Sequence, residues 1–105
     1  MKSIQILPLT RDNYDSWRVH AEALLIKHEN WDHVNGTNPK PTGNDTDQKV
    51  LDWITADRAA RADLLLAISP SEVKHVKDYP SARSVWLKLE EIHRSKGHAK
   101  KAFFF

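Results

Sequence analysis

The sequence predicts an all-α fold: a compact bundle of about four or five helices with a short extended arm at the N-terminus. Apolar side chains recur at three- and four-residue steps along several stretches, which is the spacing of one face of a helix. The four tryptophans each fall inside or just after such a stretch. Large rings at helical spacing are usually core residues, so the layout indicates which helix faces are buried.

Length and composition suit one small domain. The chain has 105 residues, of which 40% are hydrophobic, enough to close a core without external staples. No apolar stretch approaches the roughly 20 residues that a membrane-spanning helix needs. The N-terminus is too short and too polar for a signal-peptide core. We therefore expect a cytoplasmic location, with the nucleus as the alternative, and no membrane partner.

The side chains that commonly carry chemistry are absent or scattered. The chain has no cysteine, which excludes a disulfide framework, a thiolate zinc site and a cysteine nucleophile. Dispersed histidines at helix ends, expected to be exposed, are His20, His28, His33, His75, His93 and His98. No nucleophile has an adjacent base and an orienting acid. We therefore expect no catalytic residues, no metal, no cofactor, no small-molecule substrate and no enzymatic activity.

The first element is an extended arm that leads into a helix. Residues 4–9 alternate weakly and are interrupted by Pro8, so they form an edge strand at best, not part of a sheet. Asp12 or Asn13 can cap the first helix, which should run to about Glu29. Its apolar face carries Tyr14, Trp17, Ala21, Leu24 and Leu25.

A short turn and a polar loop follow. Trp31, His33 and Val34 indicate one more helical turn, which ends at Gly36 because glycine accepts the left-handed conformation that terminates helices. Residues 37–46 combine proline, glycine, asparagine, aspartate and threonine with no apolar side chain to bury. This composition predicts a mobile loop.

The next helix, about 20 residues long, should be the spine of the domain. Asp45 and Gln48 have capping-box spacing, so the helix begins near Asp45. Its apolar stripe carries Val50, Trp53, Ile54, Asp57, Ala60, Leu64 and Ile68. A buried carboxylate needs partners, so Asp57 should accept a hydrogen bond from an indole or pair with Arg58 or Arg61. We expect a structural role for Asp57.

Two further helices complete the bundle. Ser69 can accept a hydrogen bond from a first turn, Pro70 suits the first helical position, and Glu72 can reach back to Ser69. Pro80 marks the start of the last helix, which Gly97 should interrupt. Its buried stripe carries Ala82, Val85, Trp86, Leu89 and Ile92.

These elements divide the chain into an arm (1–11), a helical domain (12–97) and a tail (98–105). The side chains expected to define the fold are Tyr14, Trp17, Leu24, Trp53, Asp57, Leu64, Trp86 and Leu89. Trp31, in a short turn beside the loop, is a better candidate for a surface contact than the other tryptophans. The apolar run 102–105 would be exposed unless it docks on the core or on another chain.

The layout resembles the N-terminal part of the capsid region of Gag from Ty1/copia-type LTR retrotransposons. In that family an arm leads into a Tyr-x-x-Trp helix, then a tryptophan and Val-x-Gly, which correspond here to Leu9, Tyr14, Trp17, Leu24, Trp31, Val34 and Gly36. The long second helix of the family resembles the segment with Trp53, Asp57, Ala60 and Leu64. A later helix resembles the segment that begins at residues 80–82 and carries Trp86 and Leu89. The resemblance covers residues 4–96.

The resemblance implies a capsid N-terminal-domain-like structural protein that self-associates into a capsid or virus-like particle shell. Its partners would be copies of itself or related Gag capsid chains. Family members continue into a second capsid domain and often a Cys/His zinc knuckle, so RNA packaging through a knuckle is not expected of this cysteine-free chain. The residues proposed for self-association are Ile4, Ile6, Leu7, Trp31 and Val34.

Two other functions stay open. A domesticated or truncated Gag fragment would bind capsid and modulate its assembly without forming shells alone. A small nucleic-acid-binding helical domain would use the basic run after Glu91, although a net charge of +2 is too small to predict such binding alone. The run also fits a solvated helix end whose cations offset the C-terminal dipole. The candidate nucleic-acid contacts are Arg94, Lys96, Lys100 and Lys101.

Overall fold

The computed structural model describes the backbone of residues 6–103 and the side chains of residues 6–94. Within that part of the chain there are five helices. They are α1 (Tyr14–Lys27), α2 (Trp31–Asn35), α3 (Gln48–Leu66), α4 (Pro70–Val76) and α5 (Ala82–Phe103). Helix α5 packs against α2, α3 and α4, and α1 packs against α2 and α3. The prediction of an all-α bundle is confirmed.

The arm is attached to the connection between α3 and α4. The Leu9 N–H donates to the Ala67 carbonyl at 3.0 Å, and the Ser69 N–H donates to the Leu9 carbonyl at 3.0 Å. These bonds form an isolated parallel bridge between Leu9 and Ile68. The Leu9 side chain is fully buried. The arm therefore enters the core at one residue.

Helix α1 begins and ends on local backbone geometry. Asn13 precedes it, but the Asn13 side chain accepts from the Thr10 N–H at 2.7 Å and donates to the Pro8 carbonyl at 3.0 Å. It therefore closes the turn behind the helix and does not cap it. Helix α1 stops at Lys27, before the predicted Glu29, because Glu29 adopts a left-handed φ of 61°.

Three indole rings join α1, α2 and α5. Trp17 stacks on Trp86 at a centroid distance of 5.7 Å, and Trp31 meets Trp86 edge-on at 5.2 Å. The Trp17 indole N–H also donates to the Ala67 carbonyl at 2.8 Å. Around the rings, the buried core consists of Leu9, Tyr14, Ala21, Leu25, Val34, Ala60, Leu64, Ala67, Ile68, Val76, Ala82, Val85 and Leu89.

Two side chains assigned to the core from sequence lie at its edge. Leu24 is half-buried and lines a surface groove. Trp53 is half-buried because the loop after α2 folds over it, and the indole N–H donates to the Asn38 carbonyl at 2.8 Å. The Asn38 N–H in turn donates to the Asp32 carbonyl at 3.1 Å. The loop is thus tied to α2 and α3, and its mobility stays a prediction.

Gly36 ends α2 in the left-handed conformation, with a φ of 90°, as its sequence position predicts. The Arg83 guanidinium lies against it and donates from Nη1 to the Val34 carbonyl at 3.0 Å. A Cβ atom on residue 36 would lie 2.8 Å from Arg83 Cζ. Val34 itself is fully buried, so the surface contact predicted for Val34 is wrong.

The first turn of α5 is capped from two directions. Within the turn, Ser81 Oγ accepts from the Ser84 N–H at 3.1 Å, and Ser84 Oγ accepts from the Ser81 N–H at 3.0 Å. From α3, Asp57 Oδ1 accepts from the Ala82 N–H at 3.2 Å. The buried carboxylate of Asp57 therefore satisfies a free donor at the positive end of a long helix.

The partners predicted for Asp57 are wrong, although its position on the buried face of α3 is as expected. Arg58 is exposed. Arg61 donates instead to the Tyr79 carbonyl at 2.8 Å and the Lys77 carbonyl at 2.6 Å. Both arginines are local to α3, whereas the carboxylate faces inward, where the start of α5 supplies the donor.

The predicted capping box at the start of α3 does not form. The helix begins at Gln48, later than Asp45. The Gln48 side chain donates to Asp52 Oδ1 at 2.7 Å. Asp47 is the capping residue, but its carboxylate accepts from the Asn44 N–H at 3.1 Å in the preceding turn. Asp47 and Gln48 thus make other contacts in place of the predicted pairing between Asp45 and Gln48.

Helix α4 begins at Pro70, as predicted, but without the predicted box. Ser69 makes no side-chain capping bond to the helix. Glu72 is buried and contacts His93 of α5 instead. A carboxylate that could cap its own helix is therefore drawn into a contact between helices.

The predicted interruption of the last helix at Gly97 is wrong, because the α5 backbone continues to Phe103. A glycine costs a helix only about 1 kcal/mol relative to alanine, which neighbouring helix formers can offset. The side chains of four predicted contacts and one histidine lie outside the described part: Ile4, Lys96, His98, Lys100 and Lys101.

We expect Asp57→Ala to lower the free energy of unfolding by about 1–3 kcal/mol, because it leaves the buried Ala82 N–H without an acceptor. Thermal denaturation should then show a clearly lower Tm, by about 4–8 °C for each kcal/mol lost. Asp78→Ala, which changes an exposed carboxylate, is the matched control. An unchanged Tm for Asp57→Ala would contradict the capping role.

We expect Gly36→Ala to destabilise the fold by about 1–3 kcal/mol, since alanine disfavours the left-handed backbone and its Cβ would contact Arg83. Chemical denaturation measures the loss. Repeating the substitution in an Arg83→Ala background separates the two causes, and the cost should be smaller there. Equal costs in both backgrounds would show that the Arg83 contact is irrelevant.

Candidate interaction surface

An apolar groove lies between the arm, the end of α1 and the end of α3. Its volume is about 610 Å³. Leu7 and Leu66 on its walls are 76% and 85% exposed. Ile6, Pro8, Leu24 and Ala67 complete the apolar lining. Exposed apolar side chains gathered at one place mark contact surfaces more often than isolated ones do.

The groove follows from how α3 ends. Leu64, Leu65 and Leu66 are consecutive, and neighbouring helical residues point about 100° apart. Leu64 is buried and Leu66 therefore points outward. The Leu9 bridge then holds the preceding arm residues beside this last turn of α3. The signal for Leu66 was present in the sequence, because three adjacent leucines cannot share one narrow stripe.

A histidine and a carboxylate form the polar part of the groove. His28 Nδ1, just after α1, lies 2.9 Å from Asp63 Oδ2 of α3. The two side chains are 41% and 21% exposed. Asp63 therefore places negative charge beside the apolar walls while remaining accessible to solvent.

A smaller cavity of about 230 Å³ lies between α2, its following loop and the starts of α3 and α5. His33 is buried there beside Trp53, with ring centroids 5.2 Å apart. Asp57 and Arg83 also line it, and both use their polar atoms on helix ends. Asp57 and Arg83 in this cavity therefore have a structural role.

Apart from the groove and the smaller cavity, a cluster of polar side chains is closed from solvent. His93 Nε2 lies 2.6 Å from Glu72 Oε1, and the two side chains are only 2% and 6% exposed. Tyr14 of α1 stacks on the His93 ring at 5.3 Å with nearly parallel planes. The cluster holds α1 and α4 against α5.

The expectation that the histidines are exposed is wrong for His33 and His93. The sequence carried a signal for one of them, because His93 follows Leu89 by four residues and Trp86 by seven, which places all three on one helix face. His20 and His75 are exposed.

Tyr14 sits at the edge of this cluster with a buried hydroxyl. Burial raises the pKa of Tyr14 above its ordinary value of 10.0, and the nearby Arg18 guanidinium acts in the opposite direction. Among the described residues, neither Tyr14 Oη nor Arg18 Nε has a hydrogen-bond partner. The neutral phenol is therefore the favoured form in the folded chain.

Neither a metal centre nor a membrane span is found in the described part of the chain. No three His, Asp or Glu side chains there are grouped closely enough to hold a metal ion. No described helix is both long and apolar enough to cross a bilayer.

The structure brings together only part of the predicted contact set. Ile6 and Leu7 lie on the groove, and Leu66 joins them although it was not predicted. Trp31 is half-buried against the core and is not among the groove residues. Arg94 is exposed, and its guanidinium lies 3.6 Å from Glu90 on the same helix.

The described residues form a small helical domain with an exposed apolar groove. A family profile described as the gag-polypeptide of LTR copia-type matches residues 21–105. The chain belongs to that family, as the resemblance of its tryptophan layout predicts. Membership supports a structural Gag role.

A relative extends the comparison across nearly the whole chain. Over 100 residues the chain is 27% identical to the Retrovirus-related Pol polyprotein from transposon TNT 1-94 of Nicotiana tabacum. The aligned region covers 94% of this chain but only 7% of that polyprotein. No solved structure matches the chain.

We expect alkaline pH to destabilise the fold through Tyr14. Above about pH 10 the unfolded chain loses the phenolic proton while the folded chain retains it, so stability falls as pH rises toward the raised folded pKa. Tyr14→Phe should lose this component, and denaturant unfolding between about pH 9 and pH 11 measures it. Tyr79→Phe is the control and should keep the decline. The same decline in Tyr14→Phe as in the wild-type chain would contradict the assignment.

Proposed function

We propose that the chain is a capsid-like structural unit of a retrotransposon Gag protein that self-associates into a particle shell. Family membership supplies the Gag assignment. The single observation that carries self-association is the exposed apolar groove with Leu7 and Leu66 on its walls. Its partners are copies of the same chain or related Gag chains, in the cytoplasm.

The energetics favour many weak contacts over one strong contact. Burying a leucine side chain contributes about 1.5–3 kcal/mol, so Leu7 and Leu66 together contribute about 3–6 kcal/mol. Association of two proteins costs about 4–15 kcal/mol in lost freedom of motion. A single groove contact is therefore weak on its own, and a shell would gain stability from its repetition.

The polar clusters support a structural role over catalysis. Asp57 and Arg83 are engaged with helix ends, and Glu72 with His93 is sealed from solvent. Four of the described polar side chains are thus engaged in contacts between helices. A nucleic-acid role for Arg94 gains no support, because Arg94 lies beside Glu90.

The test is light scattering across a concentration series after nuclease treatment. The average mass of the wild-type chain should rise with concentration. Leu66→Glu should weaken association by about tenfold or more, because it places a charge where an apolar side chain is buried. Val19→Glu changes a residue of similar character, 61% exposed on α1 and outside the groove lining, and should behave as wild type. A wild-type chain that is monomeric at every concentration would overturn the proposal.

A further inference from the structure

We propose that the groove receives segment 100–105 of a second copy of this chain. The inference rests on the proposed function and names the contact that joins neighbouring copies. The segment reads Lys-Lys-Ala-Phe-Phe-Phe, two cations followed by an apolar run that ends in three aromatic rings. It is the most aromatic stretch of the sequence.

The chemistry of the groove complements that of the segment. The walls formed by Ile6, Leu7, Leu24 and Leu66 suit phenylalanine rings, which are effective anchors at protein interfaces. Asp63, which also lies 2.9 Å from His28 Nδ1, supplies a partly exposed carboxylate at the same groove, opposite in charge to the two lysines. The apolar and the charged halves of the segment each meet a matching part of the surface.

The size of the groove fits the same occupant. Its volume of about 610 Å³ lies within the range of about 300–1,000 Å³ found for pockets that bury drug-sized ligands. Leu7 and Leu66, the most exposed large apolar side chains that the structure describes, would both be covered by such a segment.

The direction of α5 determines that the contact is between copies. Trp86 packs on Trp17, and His93, further along α5, stacks on Tyr14 at the start of α1. Helices α5 and α1 are therefore antiparallel, and α5 passes the beginning of α1 as it continues.

The groove lies at the opposite end of α1. From Tyr14 to Leu24 is ten residues, or about 15 Å of helix. From His93 to Phe103 the α5 helix extends about 15 Å the other way. As long as α5 remains helical, its end and the groove of the same copy are thus about 30 Å apart, so the segment cannot reach its own groove. The end of α5 in a neighbouring copy can reach it.

A contact of this kind is heterologous, because each copy offers one segment and one groove. Two copies that exchange their segments reciprocally close into a dimer, whereas copies that do not exchange reciprocally continue into rings or open arrays. The contact therefore suits the shell proposed above, whereas a groove that met an identical groove would produce only dimers.

A complementation experiment tests the pairing. One variant carries Leu66→Glu, which blocks the groove, and the other carries Phe103→Ser, Phe104→Ser and Phe105→Ser, which removes the rings. Each alone should associate about tenfold or more weakly than wild type. An equimolar mixture should form heterodimers and nothing larger, since only one intact segment and one intact groove remain. Self-association of the ring-free variant at wild-type strength would overturn the inference.

The absence of cysteine makes a direct contact test straightforward. Leu66→Cys in one chain and Phe104→Cys in another should form a disulfide-linked heterodimer on mild oxidation. The matched control pairs Phe104→Cys with Val19→Cys, which lies outside the groove lining and should cross-link much less. Equal yields in the two mixtures would overturn the inference.

A labelled peptide of residues 97–105 separates this inference from the proposed function. Fluorescence anisotropy should show binding to the ring-free variant and at least about tenfold weaker binding when Leu66→Glu is added. Peptide binding by a chain that never multimerises would support the groove contact and overturn the shell. A wild-type chain that multimerises without binding the peptide would do the reverse.

Discussion

The fold depends on Trp17, because this residue satisfies two requirements at once. Its ring, only 1% exposed, stacks on Trp86 of α5, and its indole N–H donates to the Ala67 carbonyl at the end of α3. The same carbonyl accepts from Leu9, so the arm, α1 and α3 converge on one acceptor. Losing a buried tryptophan ring typically costs about 3–5 kcal/mol, a large part of the 5–15 kcal/mol that stabilises a domain. The hydrogen bond from Leu9 to this carbonyl holds the arm in position.

Long-range contacts to helix ends account for two of the polar side chains in the described part of the chain. Asp57 reaches from α3 to the first turn of α5, and Arg83 reaches from α5 to the last turn of α2. Both act on free backbone groups at helix ends, which are costly to leave unpaired when buried. The side chains of Glu72 and His93 contact each other directly and hold α4 against α5. The polar interior thus sets the relative positions of the helices.

The periodicity of the sequence was sufficient to predict the helices and the end of α2 at Gly36, because these depend on neighbouring residues. It was not sufficient for the partners of Asp57 and Glu72, which lie 25 and 21 residues away along the chain. A local capping rule predicted that Glu72 reaches back to Ser69, and an indole N–H, Arg58 or Arg61 was predicted for Asp57. Packing instead placed donors from α5 beside both carboxylates. Trp53 was predicted to lie in the core because it falls on the apolar stripe of α3. It is half-buried instead, under a loop whose sequence has no apolar pattern that would predict the contact. The groove was found only in part, since Leu7 was predicted and Leu66 was not.

The way the groove is built makes the proposed assembly dependent on folding. One wall belongs to the arm and another to the last turn of α3, and these meet through the backbone bonds that Leu9 makes. Burial of Leu64 directs Leu66 outward, so the same helix end supplies both core and contact surface. The unfolded chain therefore has no groove, and its apolar segments cannot associate by the same contact. The proposed assembly would benefit from this order, because the groove forms only after the core has closed.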